Sequence, residues 1–340
     1  MNSTANRVDW VDYAKGFCIL LIVMMHSTLG VEEALGQEGW MHGIVEFAQP
    51  FRVPDFFLLA GLFVARTLDR DWRHYLDKKV VHYAYFYVLW LFLNFAFKAP
   101  SMAADVGWAG VGENFAMSFI DPFGVLWFIY LLPIFLVTAK LARRFPGWAV
   151  WLVAAGLQLL PISTGWMVID EFASRFVYFY SGVLFAPLIF RFAESVLKNA
   201  RPALLFIAGW GVGNWFLTST GNADLPFISL ALGLVGCAAI IAISALMSKS
   251  DLMAPIRYAG AHSIVIYLAF FIPMATAREA LIRFGVIDDA GLLSMLVWVI
   301  ASTGPLVLYW AVRKSPLRFL FERPGWAYIH DRPRKMAPAE

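Results

Sequence analysis

The sequence predicts an all-α, polytopic integral membrane helical bundle with about ten transmembrane helices and both termini cytoplasmic. Three observations predict it. Hydrophobic types make up 60% of the 340 residues and charged types 15%, with a mean hydropathy of +0.66. A soluble domain carries roughly a quarter of its residues as charges, and a soluble fold this apolar would expose large greasy patches. A soluble enzyme, a disordered regulator and a disulfide-stapled secreted scaffold are therefore excluded. The second observation is that the apolar residues gather into stretches that can cross about 30 Å of hydrocarbon. The third is that the basic residues sort by side.

The stretches fall at 13–31, 53–67, 80–98, 124–141, 148–163, 175–192, 203–219, 226–247, 263–282 and 291–312. The second is short, the fifth ends at Pro161, and the ninth carries Pro273 and Arg278. With the N-terminus inside, only Arg52, Lys98, Arg175, Arg278 and Arg283 of the 27 lysines and arginines fall on the outer side. Positive charge stays cytoplasmic, so this sets the orientation. The 30 Phe, 14 Trp and 12 Tyr suit membrane interfaces. A net charge of +3 is too small to argue for a nucleic-acid partner.

Residues 1–312 read as one membrane domain, and 313–340 as a basic cytoplasmic tail. Prolines at 316, 324, 333 and 338 predict that the tail is partly disordered. The outward connections are acidic: Glu32, Glu33, Glu38 and Glu46 in the first, Asp105, Glu113 and Asp121 in the second, Asp170 and Glu171 in the third. Exposed charges of this kind form a solvated rim. Cys18 and Cys237 lie inside apolar stretches and read as packing residues. The first stretch looks like a signal peptide only superficially, because it contains Lys15 and His26, and it is expected to be retained.

Those two residues carry the chemistry. An ionisable group at membrane depth is costly and is a functional hypothesis by default. Lys15 alone could snorkel to the headgroups, and His26 alone could be a helix-packing hydrogen bonder. Their spacing points to a joint role: eleven residues come to three turns plus about 20°, so both share one face, about 16 Å apart along the axis. They can line one channel, the cation at its cytoplasmic mouth and the imidazole deep inside. A desolvated imidazole is neutral and can accept a proton from a hydroxyl. The six histidines show no metal-ligating spacing, and phosphate-binding glycine loops are absent from the sequence.

The segment Asp12, Lys15-Gly16, an apolar run and His26 resembles the opening motif of the membrane-bound acyltransferase 3 family, including its fucose 4-O-acetylase-like branch. The resemblance continues in order through Pro54-Asp55-Phe56-Phe57-Leu58-Leu59-Ala60-Gly61, Leu126-Trp127-Phe128-Ile129, Phe179-Tyr180-Ser181-Gly182, and Gly260-Ala261-His262-Ser263 with Ile266-Tyr267-Leu268. It departs at Lys15, where an arginine is usual, and at Ala60, where serine is usual. Lys79-x-x-His82 stands where a pair of arginines is common, and Phe270 where most members have a histidine.

The resemblance implies an O-acyltransferase that takes an acyl group, acetyl by default, from cytoplasmic acyl-coenzyme A. The acceptor would be a hydroxyl of a sugar, a glycan or a lipid-linked molecule. The donor would be a substrate, with no tightly bound cofactor and no metal. On this reading His26 is the general base and Lys15 holds the donor near the entrance. Arg73, Lys78 and Lys79 would neutralise its phosphates as point charges, a role that competes with ordinary topogenic charge. Asp55 is expected to orient the imidazole or bind sugar hydroxyls, with Arg52 as its partner; Trp127 and Arg175 are expected at the acceptor side. A transporter or flippase is the competing class, since such bundles also carry buried Lys, His and Asp. A non-catalytic relic of the same fold is a third reading.

Overall fold

The computed structural model describes residues 8–250, 253–285 and 287–329. Arg7, Arg332, Arg334, Lys335 and the end of the expected tail lie outside the described residues. Among the described residues all regular structure is helical. In order, the helices are α1 (Asp9–Leu35), α2 (His42–Gly61), α3 (Trp72–Leu76), α4 (His82–Met117), α5 (Trp127–Ala142), α6 (Gly147–Leu159) and α7 (Met167–Leu184). They continue as α8 (Ala186–Lys198), α9 (Ala200–Ser219), α10 (Pro226–Met247), α11 (Ala254–Ala261), α12 (Ser263–Ala269), α13 (Phe271–Arg283) and α14 (Ala290–Val312).

Among the described residues, six helical segments are long and apolar enough to cross a membrane, and eight if each of two bent pairs counts as one span. The pairs are α7 with α8, bent by 73°, and α12 with α13, bent by 53°. All ten expected stretches coincide with helices, and two of them are shorter or less apolar than these eight. At 13 residues α6 is only about 20 Å long, and α9, interrupted by Gly209, Gly211, Gly213 and Asn214, is less apolar. Large apolar side chains such as Leu205 and Phe227 are 76% and 77% exposed. Lipid, not water, is the solvent that accepts such a surface.

Two element boundaries differ from the sequence expectation, each at a proline. The second helix begins at His42 and runs through Pro50 and Pro54, because neighbouring helices satisfy what a proline leaves unbonded in a membrane. The second outward connection, expected as a loop, is helix past Pro100 to Met117, broken only at Gly107. There φ is +70°, a conformation that glycine adopts without steric cost.

The chain divides into two compact units. The first comprises residues up to 65 and 145–308. Within it α1 packs on α2, α10 and α11, and α2 packs on α7. Two crossings are close enough to demand glycine. A Cβ on Gly260 would lie 1.7 Å from the Asp12 carbonyl oxygen, and one on Gly16 would lie 2.1 Å from that of Ile256, which brings α1 and α11 together. Gly182 and Gly61 do the same for α7 and α2, at 2.0 Å from Leu58 O and 2.1 Å from Phe179 O. All four belong to the motifs quoted above. Their spacing now has a physical reason: small residues let membrane helices approach closely. Cys18 and Cys237 are buried free thiols in the cluster that joins these helices.

Glu32 is a correction to the acidic rim. It is buried, its Oε1 accepts from the Gly39 N–H at 3.0 Å, and its Oε2 lies 2.7 Å from His42 Nδ1. The carboxylate therefore braces the turn between α1 and α2, which the left-handed Gly36 opens. Replacing Glu32 with Ala strands the Gly39 donor, and we expect a loss of about 1–3 kcal/mol, read as a lower melting temperature in detergent.

The second unit comprises residues 66–144 and those from 309 onward. It holds α3, a π-turn over Asp77–Val81, α4, α5 and short 3-10 turns at Pro316–Leu320 and Gly325–Ala327. The Trp90 indole donates to Leu320 O at 3.0 Å and the Tyr85 hydroxyl to Phe319 O at 3.1 Å. Arg323, 3% exposed, donates to Asp77 O at 2.6 Å and to its Oδ1 at 3.0 Å. The stretch expected as a tail thus contains, up to Ile329, a buried ion pair that fixes it to the start of α4. Arg323→Ala removes the guanidinium from the buried Asp77 carboxyl, leaving it the Ile329 N–H. We expect about 3–5 kcal/mol of destabilisation, visible as early unfolding and as proteolysis near residue 313.

Candidate active site on the first helix

α1 is unbroken from Asp9 to Leu35, so the helical phase that places Lys15 and His26 on one stripe holds along its whole length. Lys15 is half-buried, with its ammonium 6.0 Å from the centre of the Phe63 ring near the end of α2. His26 is half-buried too. Its ring lies 5.6 Å from that of Phe270, at an interplanar angle of 35°. Neither imidazole nitrogen is hydrogen-bonded among the described residues. Phe270 is fully buried and sits at the break between α12 and α13. In a membrane, such breaks occur where backbone is buried in protein or lines a cavity.

Asp55 corrects the expectation for the imidazole's partner. It is 1% exposed, and its Oδ2 accepts from the Cys18 thiol at 2.7 Å. Cys18 lies eight residues before His26 on α1, about 12 Å along the axis, so the carboxylate ties α2 to α1 well below the imidazole. Its Oδ1 has no partner among the described residues. Arg52 does not pair with Asp55 either. Its Nη1 donates to Val45 O at 2.6 Å, and its buried Nε has no partner among the described residues. The Arg52 guanidinium lies within electrostatic reach of both His26 and Arg175. Arg175, on α7, bonds Glu171 through Nε at 3.0 Å. Asp170 caps its loop, accepting from the Thr164 N–H and hydroxyl and from the Gly165 N–H.

Two contacts on α1 were missed. Arg278 of α13 donates to Gly30 O at 3.1 Å, one turn beyond His26, and the Trp298 indole donates to Leu20 O at 2.9 Å. The signal for Arg278 was present, since a charge inside a span faces the bundle interior.

The remaining expected residues belong to the second unit. Trp127 is half-buried at the start of α5, after a 3-10 turn over Gly124–Leu126. Arg73 is exposed on α3. Lys78, exposed, and Lys79, half-buried, lie on the π-turn that begins at Asp77.

A bundle of helices this long and apolar defines an integral membrane protein. The family profile described as an acyltransferase domain matches residues 8–314. The chain belongs to the acyltransferase 3 family of membrane acyltransferases. It is similar to the inner membrane protein YcfT of Escherichia coli strain K12, 26% identical over 261 residues, covering 68% of this chain and 69% of that protein. No solved structure matches the chain.

Proposed function

We propose that this protein is a membrane-embedded O-acyltransferase of a bacterial cytoplasmic membrane. It moves an acyl group, acetyl on the family resemblance, from cytoplasmic acyl-coenzyme A to a hydroxyl of a sugar, glycan or lipid-linked acceptor. The observation that carries the reading is the His26 imidazole: half-buried in an apolar bundle, with neither nitrogen hydrogen-bonded among the described residues. The relative's inner-membrane name and the sorting of basic residues support the location.

The acceptor hydroxyl attacks the thioester carbonyl carbon while His26 takes its proton. The carbon–oxygen bond forms, the carbon–sulfur bond breaks, and the imidazolium returns the proton to the departing coenzyme A thiolate. Charge develops on the carbonyl oxygen, and fixed cations near the reacting atoms stabilise it. Arg52, with its unbonded Nε, suits that role or the positioning of the acceptor. Lys15 holds the donor on the cytoplasmic side of the same stripe. Asp55 serves as a positioning residue, fixing α2 against α1 through Cys18. Trp127 and Arg175 remain proposed acceptor contacts, and Arg73, Lys78 and Lys79 proposed phosphate contacts.

The broken α12–α13 pair beside His26 is also a device of transporters, whose discontinuous helices line substrate sites. Purified protein in liposomes separates the two classes. Release of free coenzyme A with acylation of an added glycan acceptor supports acyl transfer. Solute flux with no loss of thioester supports the transporter.

A further inference from the structure

The second unit contains a cavity of about 540 Å³ between the start of α4 and the 3-10 turns that follow α14. Its walls include Tyr85, Arg318, Glu322, Arg323 and Trp326. The volume is within the usual range for small-ligand sites. Three features set its chemistry. Trp326 is 81% exposed, its ring 6.2 Å from that of Tyr85 and nearly perpendicular to it. Among the described residues, that leaves a large indole face uncovered, able to stack on a planar ring. Arg318 makes no ion pair among the described residues, although its guanidinium fork is the geometry that phosphate recognition uses. Arg323 is held by Asp77 on one side and by the Tyr328 ring, 3.8 Å away, on another. Its Nε, buried, has no hydrogen-bond partner among the described residues.

The residues read from the sequence as donor contacts do not line this cavity, but two of them lie on the turn that its Arg323 holds. Arg323 clamps the first residue of the Asp77–Val81 π-turn, which carries Lys78 and Lys79. His82, the first residue of α4, lies within electrostatic reach of both Arg323 and Lys79. Lys79 and Arg323, more than 200 positions apart in the chain, thus both lie near His82. Glu322 adds a carboxylate at the rim, an acceptor suited to ribose hydroxyls. An aromatic face, arginine forks and a rim carboxylate together match a phosphorylated nucleoside better than a bare phosphate or an acyl chain.

We infer that the cavity formed by Tyr85, Arg318, Glu322, Arg323 and Trp326 binds the nucleotide end of the acyl-coenzyme A donor, with the adenine on Trp326 and the phosphates on Arg318. This rests on the acyl-coenzyme A reading above and gives the donor's nucleotide a place that the sequence motifs did not assign.

The test is the binding of free coenzyme A to the full-length protein in nanodiscs of phosphatidylcholine, followed by calorimetry. Trp326→Ala and Arg318→Ala change exposed side chains, so both variants should melt like the parent. Each should weaken coenzyme A binding by about tenfold or more, the scale of one lost base stack. Adenosine 3′,5′-bisphosphate should compete, and Trp326→Phe should retain most of the affinity. Parent-like affinity in both alanine variants overturns the inference and leaves the acyl-coenzyme A reading standing. A parent protein that binds no coenzyme A and cleaves no thioester overturns both. If phosphatidylglycerol in the nanodisc displaces coenzyme A and itself depends on Arg318 but not on Trp326, the cavity is a lipid headgroup site, and the inference fails.

Discussion

His26→Ala lowers the rate of acyl transfer by about two to four orders of magnitude, the range that a positioned general base supplies. The variant protein still folds, because the imidazole makes no hydrogen bond among the described residues and its main neighbour is the Phe270 ring. His26→Gln, nearer in size, removes the base with less disturbance of packing and should be equally inactive. The relevant measurement is the initial rate of label transfer from acetyl-coenzyme A by protein in liposomes, beside a melting curve for each variant. A base that acts only in the transition state leaves the KM for the donor unchanged while kcat falls. Lys15→Gln should do the reverse, raising the donor KM, and Lys15→Arg should rescue it. Full activity in a folded His26 variant would remove the chemical core of the account.

Gly260→Ala is expected to destabilise the protein by about 1–3 kcal/mol, as overpacked cores do, and to reduce activity with it. The added methyl would meet the Asp12 carbonyl oxygen at 1.7 Å, and neither backbone can yield without separating α11 from α1. Asp12 lies one turn from Lys15, so the displacement reaches the donor end of the stripe. Gly182→Ala should behave similarly at the α7–α2 crossing, where the obstacle is Leu58 O. The opposite sign is predicted at Gly211 of α9, which has nothing within 4 Å of the added carbon. There alanine only improves helix propensity, by about 1 kcal/mol. Melting temperatures of the three variants in one detergent decide the matter. Equal shifts at Gly260 and Gly211 would show that close approach is not what the motif glycines provide.

The sequence made the helices legible because burial in lipid leaves long apolar runs, and the first helix was placed with its chemical stripe intact. Boundaries failed at Pro54 and Pro100, where neighbouring helices override a local breaker. The 73° and 53° bends fall at Phe185 and Phe270, just before Pro187 and Pro273; a proline signals a break but not its angle. Periodicity along one helix also cannot say which residue of another helix faces it. Asp55 was therefore assigned to His26, whereas packing brings it to Cys18. The motif glycines were visible as letters, but the reason for them is a backbone distance. The Asp77–Arg323 pair joins residues 246 positions apart, a separation at which no local pattern operates.

The account's central claim is transfer of an acyl group to a glycan hydroxyl through His26. Its most direct measurement is the mass of cell-surface glycans from a strain that lacks this protein, complemented with the parent chain or with His26→Ala. The account predicts that deletion removes acyl-sized increments from one glycan, that the parent restores them, and that the His26→Ala chain, present in the membrane at parental level, does not. Restoration by the His26→Ala chain, or a glycan mass unaffected by deletion, would contradict it.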